Sequence, residues 1–156
     1  VRIFLDANIL FSAARSTGAI REMIRRLHVA GHLLLADEYV VAEARRNLLA
    51  KEPESIGQLD AMLGALTIAP HRPAPLPVEL ALLLPEKDRP VLAAALNLRC
   101  DALVTGDRTH FGEMYGRTFV DLVVHSPRSL AEALDLRSTS ETPPPLPRSR
   151  KARPDD

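Results

Sequence analysis

Four acidic residues spread along the chain, Asp6, Glu43, Asp88 and Asp107, carry the chemistry its sequence suggests. Asp6 follows the apolar run Val1-Arg2-Ile3-Phe4-Leu5, and Asp107 follows Ala102-Leu103-Val104-Thr105-Gly106. Each is therefore expected where a buried strand emerges into a loop. In open α/β sheets, ligands bind beyond the carboxyl ends of the strands. Carboxylates gathered there suit a hard divalent cation, and with it metal-dependent phosphodiester cleavage.

Each acid also has an ordinary reading. Asp6 is placed to close an Asx-type turn, and Asp107 to mark a simple strand exit. Glu43, among Val40, Val41 and Ala44, is spaced to pair with Arg46 one helical turn on. Asp88 is positioned to cap a helix and complement its dipole. Asn8 can orient Asp6 or a water, or serve the turn. Thr105 ends a buried strand with a β-branched hydroxyl, and Gly106 then lets the backbone approach a ligand closely. Other chemistries find less support. His28 and His32 are spaced like a metal pair, but Gly31 breaks the helix between them. No Cys/His cluster has zinc-like spacing, no glycine-rich loop resembles a phosphate cradle, and no serine stands on a nucleophile elbow.

The elements that must position these acids alternate strand and helix, the signature of βαβ units and a mainly parallel sheet. Strands are expected over residues 2–5, 32–36, 67–69, 102–105 and 119–124. A helix over 18–30 shows Ile20, Met23, Ile24 and Leu27 on one face, and Gly31 ends it. Asp37 is an N-cap for a helix over 38–51, and Ser55 caps a shorter one. The four prolines Pro70, Pro73, Pro75 and Pro77 make 70–77 an irregular connection. Helices over 78–84, 88–97 and 128–136 follow. Pro90 is tolerated in the first turn of the second of these, and Ser126-Pro127 opens the third.

A chain of 156 residues that is 46% apolar can bury one core, so a single domain is expected over 1–136. Residues 137–156 hold five prolines and almost no apolar side chains, and are expected to form a disordered Pro/Arg-rich tail. Pro144 to Pro147 formally fits a PxxP pattern, although a solvated tail accounts for it. The formal net charge is zero, and the tail takes five Lys/Arg and three Asp/Glu, leaving the body at −2. A polyanion must then be held by a local patch or through bound metal. No apolar stretch reaches the roughly 18 residues that a membrane-spanning helix needs. No basic-then-apolar leader precedes the first strand, so a soluble, cytoplasmic protein is expected. Cys100, the single cysteine, excludes an internal disulfide and reads as a small buried residue.

The acids in their contexts resemble the PIN-domain nucleases, in particular the PIN-family toxins of bacterial toxin–antitoxin pairs. The segments that carry the resemblance are Phe4-Leu5-Asp6-Ala7-Asn8-Ile9-Leu10, Val41-Ala42-Glu43-Ala44-Arg45-Arg46, Lys87-Asp88-Arg89-Pro90-Val91-Leu92-Ala93-Ala94-Ala95 and Leu103-Val104-Thr105-Gly106-Asp107-Arg108-Thr109-His110-Phe111-Gly112. Ser126-Pro127-Arg128-Ser129-Leu130 matches the closing element, so the likeness spans residues 1–136. It implies a three-layer α/β/α sandwich with a mainly parallel sheet, its acids in one groove that binds Mg²⁺ or Mn²⁺ and cuts single-stranded RNA. Asp6, Glu43, Asp88 and Asp107 become the metal and catalytic acids, with Asn8 and Thr105 in support. Arg45, Arg46, Arg89, Arg108 and His110, which flank these acids, are candidates for holding the RNA backbone. A cognate antitoxin is implied as a partner, and a homodimer is compatible with the pattern.

Two alternatives stand beside the nuclease. A haloacid-dehalogenase-type phosphatase also begins with a strand and an acid, but it needs a second acid where this chain has Asn8. A non-catalytic binding module would use the same acids as caps and ion pairs.

Overall fold

The computed structural model describes residues 1–135, so the expected tail over 137–156 lies outside the described residues. The architecture is the three-layer α/β/α sandwich with a mainly parallel sheet that the motifs imply. Its first strand, β1 (Arg2–Leu5), is flanked on both edges by parallel partners, and Ile3, Phe4 and Leu5 are fully buried. That double burial is why the run is continuously apolar rather than alternating.

After β1 the chain enters α1 (Ala7–Arg15), then α2 (Ala19–Val29), β2 (Leu33–Asp37) and α3 (Glu38–Lys51). A 3-10 turn over Pro53–Ser55 leads into α4 (Ile56–Leu63) and β3 (Thr67–Ala69). The proline-rich connection follows and is irregular as expected. Beyond it lie α5 (Val78–Ala81), a 3-10 turn over Glu86–Asp88, α6 (Arg89–Asn97), β4 (Ala102–Val104) and α7 (Arg108–Phe111). The described chain closes with β5 (Thr118–Phe119), β6 (Leu122–His125) and α8 (Pro127–Ala133). Ser126 caps α8 by accepting the Ser129 N–H at 3.1 Å.

The sheet order is β3-β2-β1-β4-β6-β5. The chain steps outward from β1 through β2 to β3, then crosses back to place β4 on the other side of β1. The order therefore reverses between β1 and β4, a topological switch point at which the following connections diverge and leave a crevice. Register delivers two of the candidate acids to it. Leu5 pairs with Val104, so Asp6 and Thr105 emerge side by side, and the Asp6 N–H donates to the Val104 carbonyl at 3.0 Å.

The opposite end of the sheet is tied by a different acid. Asp101 accepts the Arg2 N–H at 2.7 Å, and the Arg2 guanidinium donates to the Leu98 carbonyl at 2.7 Å. These contacts lock β1 against the entry to β4 and so fix the register that matters at the other end.

Several elements differ from the expectation: α7 is a short helix where none was expected, and Ser55 makes no side-chain cap to α4. Residues 7–15 form a helix, α1, whose buried Ala7, Ile9, Leu10, Ala13 and Ala14 pack it onto the core. The expected strand over 119–124 is a hairpin, with β5 antiparallel to β6. Its two-residue loop places Val120 at φ 48° and Asp121 at φ 68°, the type I′ pattern that matches strand twist. Val120 is β-branched and exposed, so it holds a left-handed backbone without gaining core contacts. Val120→Asn should stabilise the protein by about 1 kcal/mol, roughly 2–4 °C in Tm for a domain of this size. Thermal denaturation measures this, and an unchanged or lower Tm would refute the strain.

Candidate metal centre

Asp6 reaches the crevice as the N-cap of α1, its Oδ1 accepting the Ala7 N–H at 2.7 Å. Its Oδ2 accepts the Thr105 hydroxyl at 2.8 Å and the Asn8 amide at 3.3 Å. Thr105 is fully buried, and its hydroxyl spends its capacity here. It donates to Asp6 and accepts from the Asp107 N–H at 3.2 Å and from Asn8 at 3.3 Å. Asn8 in turn accepts the Gly106 N–H at 2.8 Å. A Cβ on Gly106 would stand 3.3 Å from Asn8 Oδ1, so the glycine makes room for this amide, where the sequence suggested room for a ligand.

The network fixes Asp6 without neutralising it. Burial pushes the Asp6 carboxyl up to about 6, against the pull of the Thr105 and Ala7 hydrogen bonds, and the charges of Glu43 and Asp88 raise it further. Asp6 therefore feels both Glu43 and Asp88. Glu43, half-buried on α3, has no hydrogen-bond or ion-pair partner among the described residues. The Arg46 pairing that would have made it an ordinary surface acid is not formed.

Asp88 and Asp107 meet at His110. Asp107 caps α7 through Oδ1, which accepts the His110 N–H at 3.1 Å, and its Oδ2 lies 2.8 Å from His110 Nδ1. Asp88 Oδ2 lies at the same 2.8 Å from that nitrogen. Both acceptors are carboxylates and Nδ1 carries a single proton, whose direction favours Asp107. Asp88 Oδ2 is consequently buried without a hydrogen bond. Asp88 also makes no capping bond to α6, contrary to its ordinary reading. Burial raises its carboxyl, opposed by His110 and Lys87 and reinforced by Asp107.

One ligand atom from each of Asp88, Asp107 and His110 falls within 4.8 Å of the others. An orphaned carboxylate oxygen facing a second carboxylate, with more negative charge on Asp6 and Glu43, fits an oxygen-preferring cation. Mg²⁺ and Mn²⁺ both accept that donor set, and Mn²⁺ the more readily if His110 contributes.

The basic residues divide. Arg46 and Arg108 are exposed, and Arg108 is close enough to pull down the Tyr115 phenol, which burial raises. Arg45 pairs with Asp60 at 2.8 Å, and the Arg89 Nε donates to the Ala81 and Leu84 carbonyls at 2.8 and 3.2 Å. Arg89 thus holds the turn that precedes Asp88. His110, expected on the RNA backbone, lies instead inside the acid cluster.

The sequence reading missed Asp37 as anything more than a cap. It is 2% exposed at the end of β2, accepting the Val40 N–H with Oδ1 and facing His71 with Oδ2. Its strand–acid–helix context is the one that singled out Asp6, so the signal was present. Cys100 is buried, as expected, and burial pushes its thiol up to about 11.

The chain matches no protein-family model and no curated protein. Among solved structures it is similar to a chain in the crystal structure of VapBC2 from Rickettsia felis bound to a DNA fragment from their promoter. The superposition covers 81% of this chain and 98% of that one, with a TM-score of 0.59 and 15% identity. At that identity the likeness establishes a shared fold.

The raised Asp6 carboxyl has a measurable consequence. The folded, metal-free protein holds the Asp6 proton more tightly than the unfolded chain does, so Asp6 costs stability as pH rises from about 4 to about 6. Asp6→Asn removes that cost. In EDTA the variant's Tm should gain on the wild type across this interval and keep a constant lead above it. Parallel Tm profiles would show that Asp6 is not strained.

Proposed function

We propose that this chain is a PIN-domain endoribonuclease that depends on Mg²⁺ or Mn²⁺, cleaves single-stranded RNA in the cytoplasm and acts as the toxin of a toxin–antitoxin pair. The observation that carries the reading is Asp88 Oδ2. It is a buried carboxylate oxygen without a hydrogen bond of its own, whose neighbour His110 Nδ1 at 2.8 Å is shared with a second carboxylate, an arrangement that a cation would complete. The similarity to a VapBC2 chain supports the toxin–antitoxin setting and a protein antitoxin as partner.

Asp88, Asp107 and His110 would hold the ion, with Asp6 and Glu43 adding negative charge behind it. When bound there, the ion supplies Lewis-acid stabilisation for in-line attack of water on the phosphodiester. The chain's part is positional. Thr105 and Asn8 hold Asp6 in one rotamer at the β1/β4 crevice, and Asp107 is fixed by its cap to α7. Arg46 and Arg108 offer exposed guanidinium groups to the flanking phosphates. No described helix is long and apolar enough to cross a membrane. The phosphatase alternative draws nothing from Asp6. Both its oxygens already accept hydrogen bonds, and at 5% exposure it is poorly open to a substrate phosphorus.

Labelled single-stranded RNA should be cut with Mn²⁺ or Mg²⁺ and left intact in EDTA. Asp88→Asn and Asp107→Asn should each slow cutting by about a hundredfold or more. The same substitutions should abolish a Mn²⁺-induced rise in Tm, since a ligand of the folded state stabilises it. Equal cutting in chelator would overturn the metal, and a folded protein that never cuts would favour the binding module.

A further inference from the structure

Outside the acid cluster, one residue is gripped by three consecutive neighbours. His71 lies in the proline-rich connection after β3. Its Nδ1 is 3.3 Å from Asp37 Oδ2, its backbone N–H donates to Glu38 Oε2 at 3.4 Å, and its ring centroid is 5.1 Å from that of Tyr39, tilted by 30°. Asp37 is itself fixed, because its other oxygen caps α3. A carboxylate only accepts, so the Nδ1 proton points inward, and the imidazole plane is set while its side chain remains 31% exposed.

Tyr39 connects this ring to the candidate metal centre. Its hydroxyl donates at 2.8 Å to the carbonyl of Lys87, the residue before Asp88. Glu43, Asp88 and Asp6 all act on its phenol. Beside His71 opens a cleft of about 340 Å³ whose walls include Arg72, Pro73, Pro75, Arg89 and Pro90. Its lining combines proline and alanine with Arg72, and Glu86 in it belongs to the turn that carries Asp88.

We propose that His71, stacked against Tyr39 and oriented by Asp37, is a platform for a nucleobase of the single-stranded RNA next to the scissile phosphate, the base entering the cleft beside Arg72. This rests on the nuclease reading above and adds to it a subsite for the substrate. Single-stranded RNA is held largely through splayed bases stacked on flat side chains, and histidine is one of these. The chain needs such a grip. Its body carries net charge −2, and Arg45 and Arg89 are already engaged inside the protein.

Two substitutions separate stacking from mere anchoring of the loop. His71→Phe keeps the ring and loses the bond to Asp37, whereas His71→Gln can keep that bond and loses the ring. Anisotropy of fluorescein-labelled homopolymers of A, C and U, with Ca²⁺ present to slow cleavage, reads the affinity. Thermal denaturation of both variants reads the anchoring. His71→Gln should weaken binding by about fivefold or more, and His71→Phe should stay within about twofold of wild type. Binding by His71→Gln as tight as wild type, or by His71→Phe as weak as His71→Gln, overturns the platform and leaves the nuclease reading intact. A folded wild type that neither binds these RNAs nor cuts them with Mn²⁺ overturns both.

Discussion

A carboxylate buried where two parallel strands part is the constraint around which this structure is organised. Asp6 stands at the end of β1, beyond the fully buried Ile3, Phe4 and Leu5, with the Glu43 and Asp88 charges acting on it. Left to itself such a group would turn toward solvent or draw in an arginine. Here the remedy is neutral dipoles: a peptide N–H, a threonine hydroxyl and an asparagine amide. Neutral donors fix the position of a carboxylate while leaving its negative charge available, whereas an arginine would have consumed that charge in an ion pair.

The sheet makes this compensation possible. Thr105 can reach Asp6 only because β1 and β4 are neighbours in register, and they are neighbours only because the chain crosses back after β3. The Asp101–Arg2 contact at the far end holds the same register. A slip of one residue would swap the faces of every side chain in β4 and remove Thr105 from the network. The energy that secures the site is thus mostly apolar, spread over Ile3, Phe4, Leu5, Leu103 and Val104.

The sequence was most legible where one rule dominates. Continuous apolar runs closed by an acid marked β1 and β4, and proline density marked the irregular 70–77 connection. Helix α1 was hidden because Asp6 both ends a strand and caps a helix, so no turn residues separate the two elements. The hairpin was hidden because Val120-Asp121 carries none of the glycine or asparagine that such a loop favours, and the run reads as one strand. Glu43, Asp88 and Asp107 are legible as candidates, whereas the sequence places His110 only among the groups flanking them. Its place three residues after the N-cap Asp107 sets its ring against Asp107 and Asp88. Asp37 and His71 depend on a contact between β2 and the chain after β3, which local sequence grammar does not encode.

His110 gives the centre its particular balance. Its Nδ1 occupies the space between two carboxylates that would otherwise repel each other, so the acids have a resident partner before any cation arrives. That partner satisfies only one of them. A divalent ion offers each carboxylate a ligand bond and carries twice the charge of an imidazolium. Were a divalent ion bound here, Asp88, Asp107 and His110 would be the residues to hold it. Asp88 Oδ2, buried and without a hydrogen bond of its own, would be open to such an ion. The cluster thus gathers its acids around a resident partner and leaves Asp88 Oδ2 incompletely satisfied, an arrangement that suits a cation.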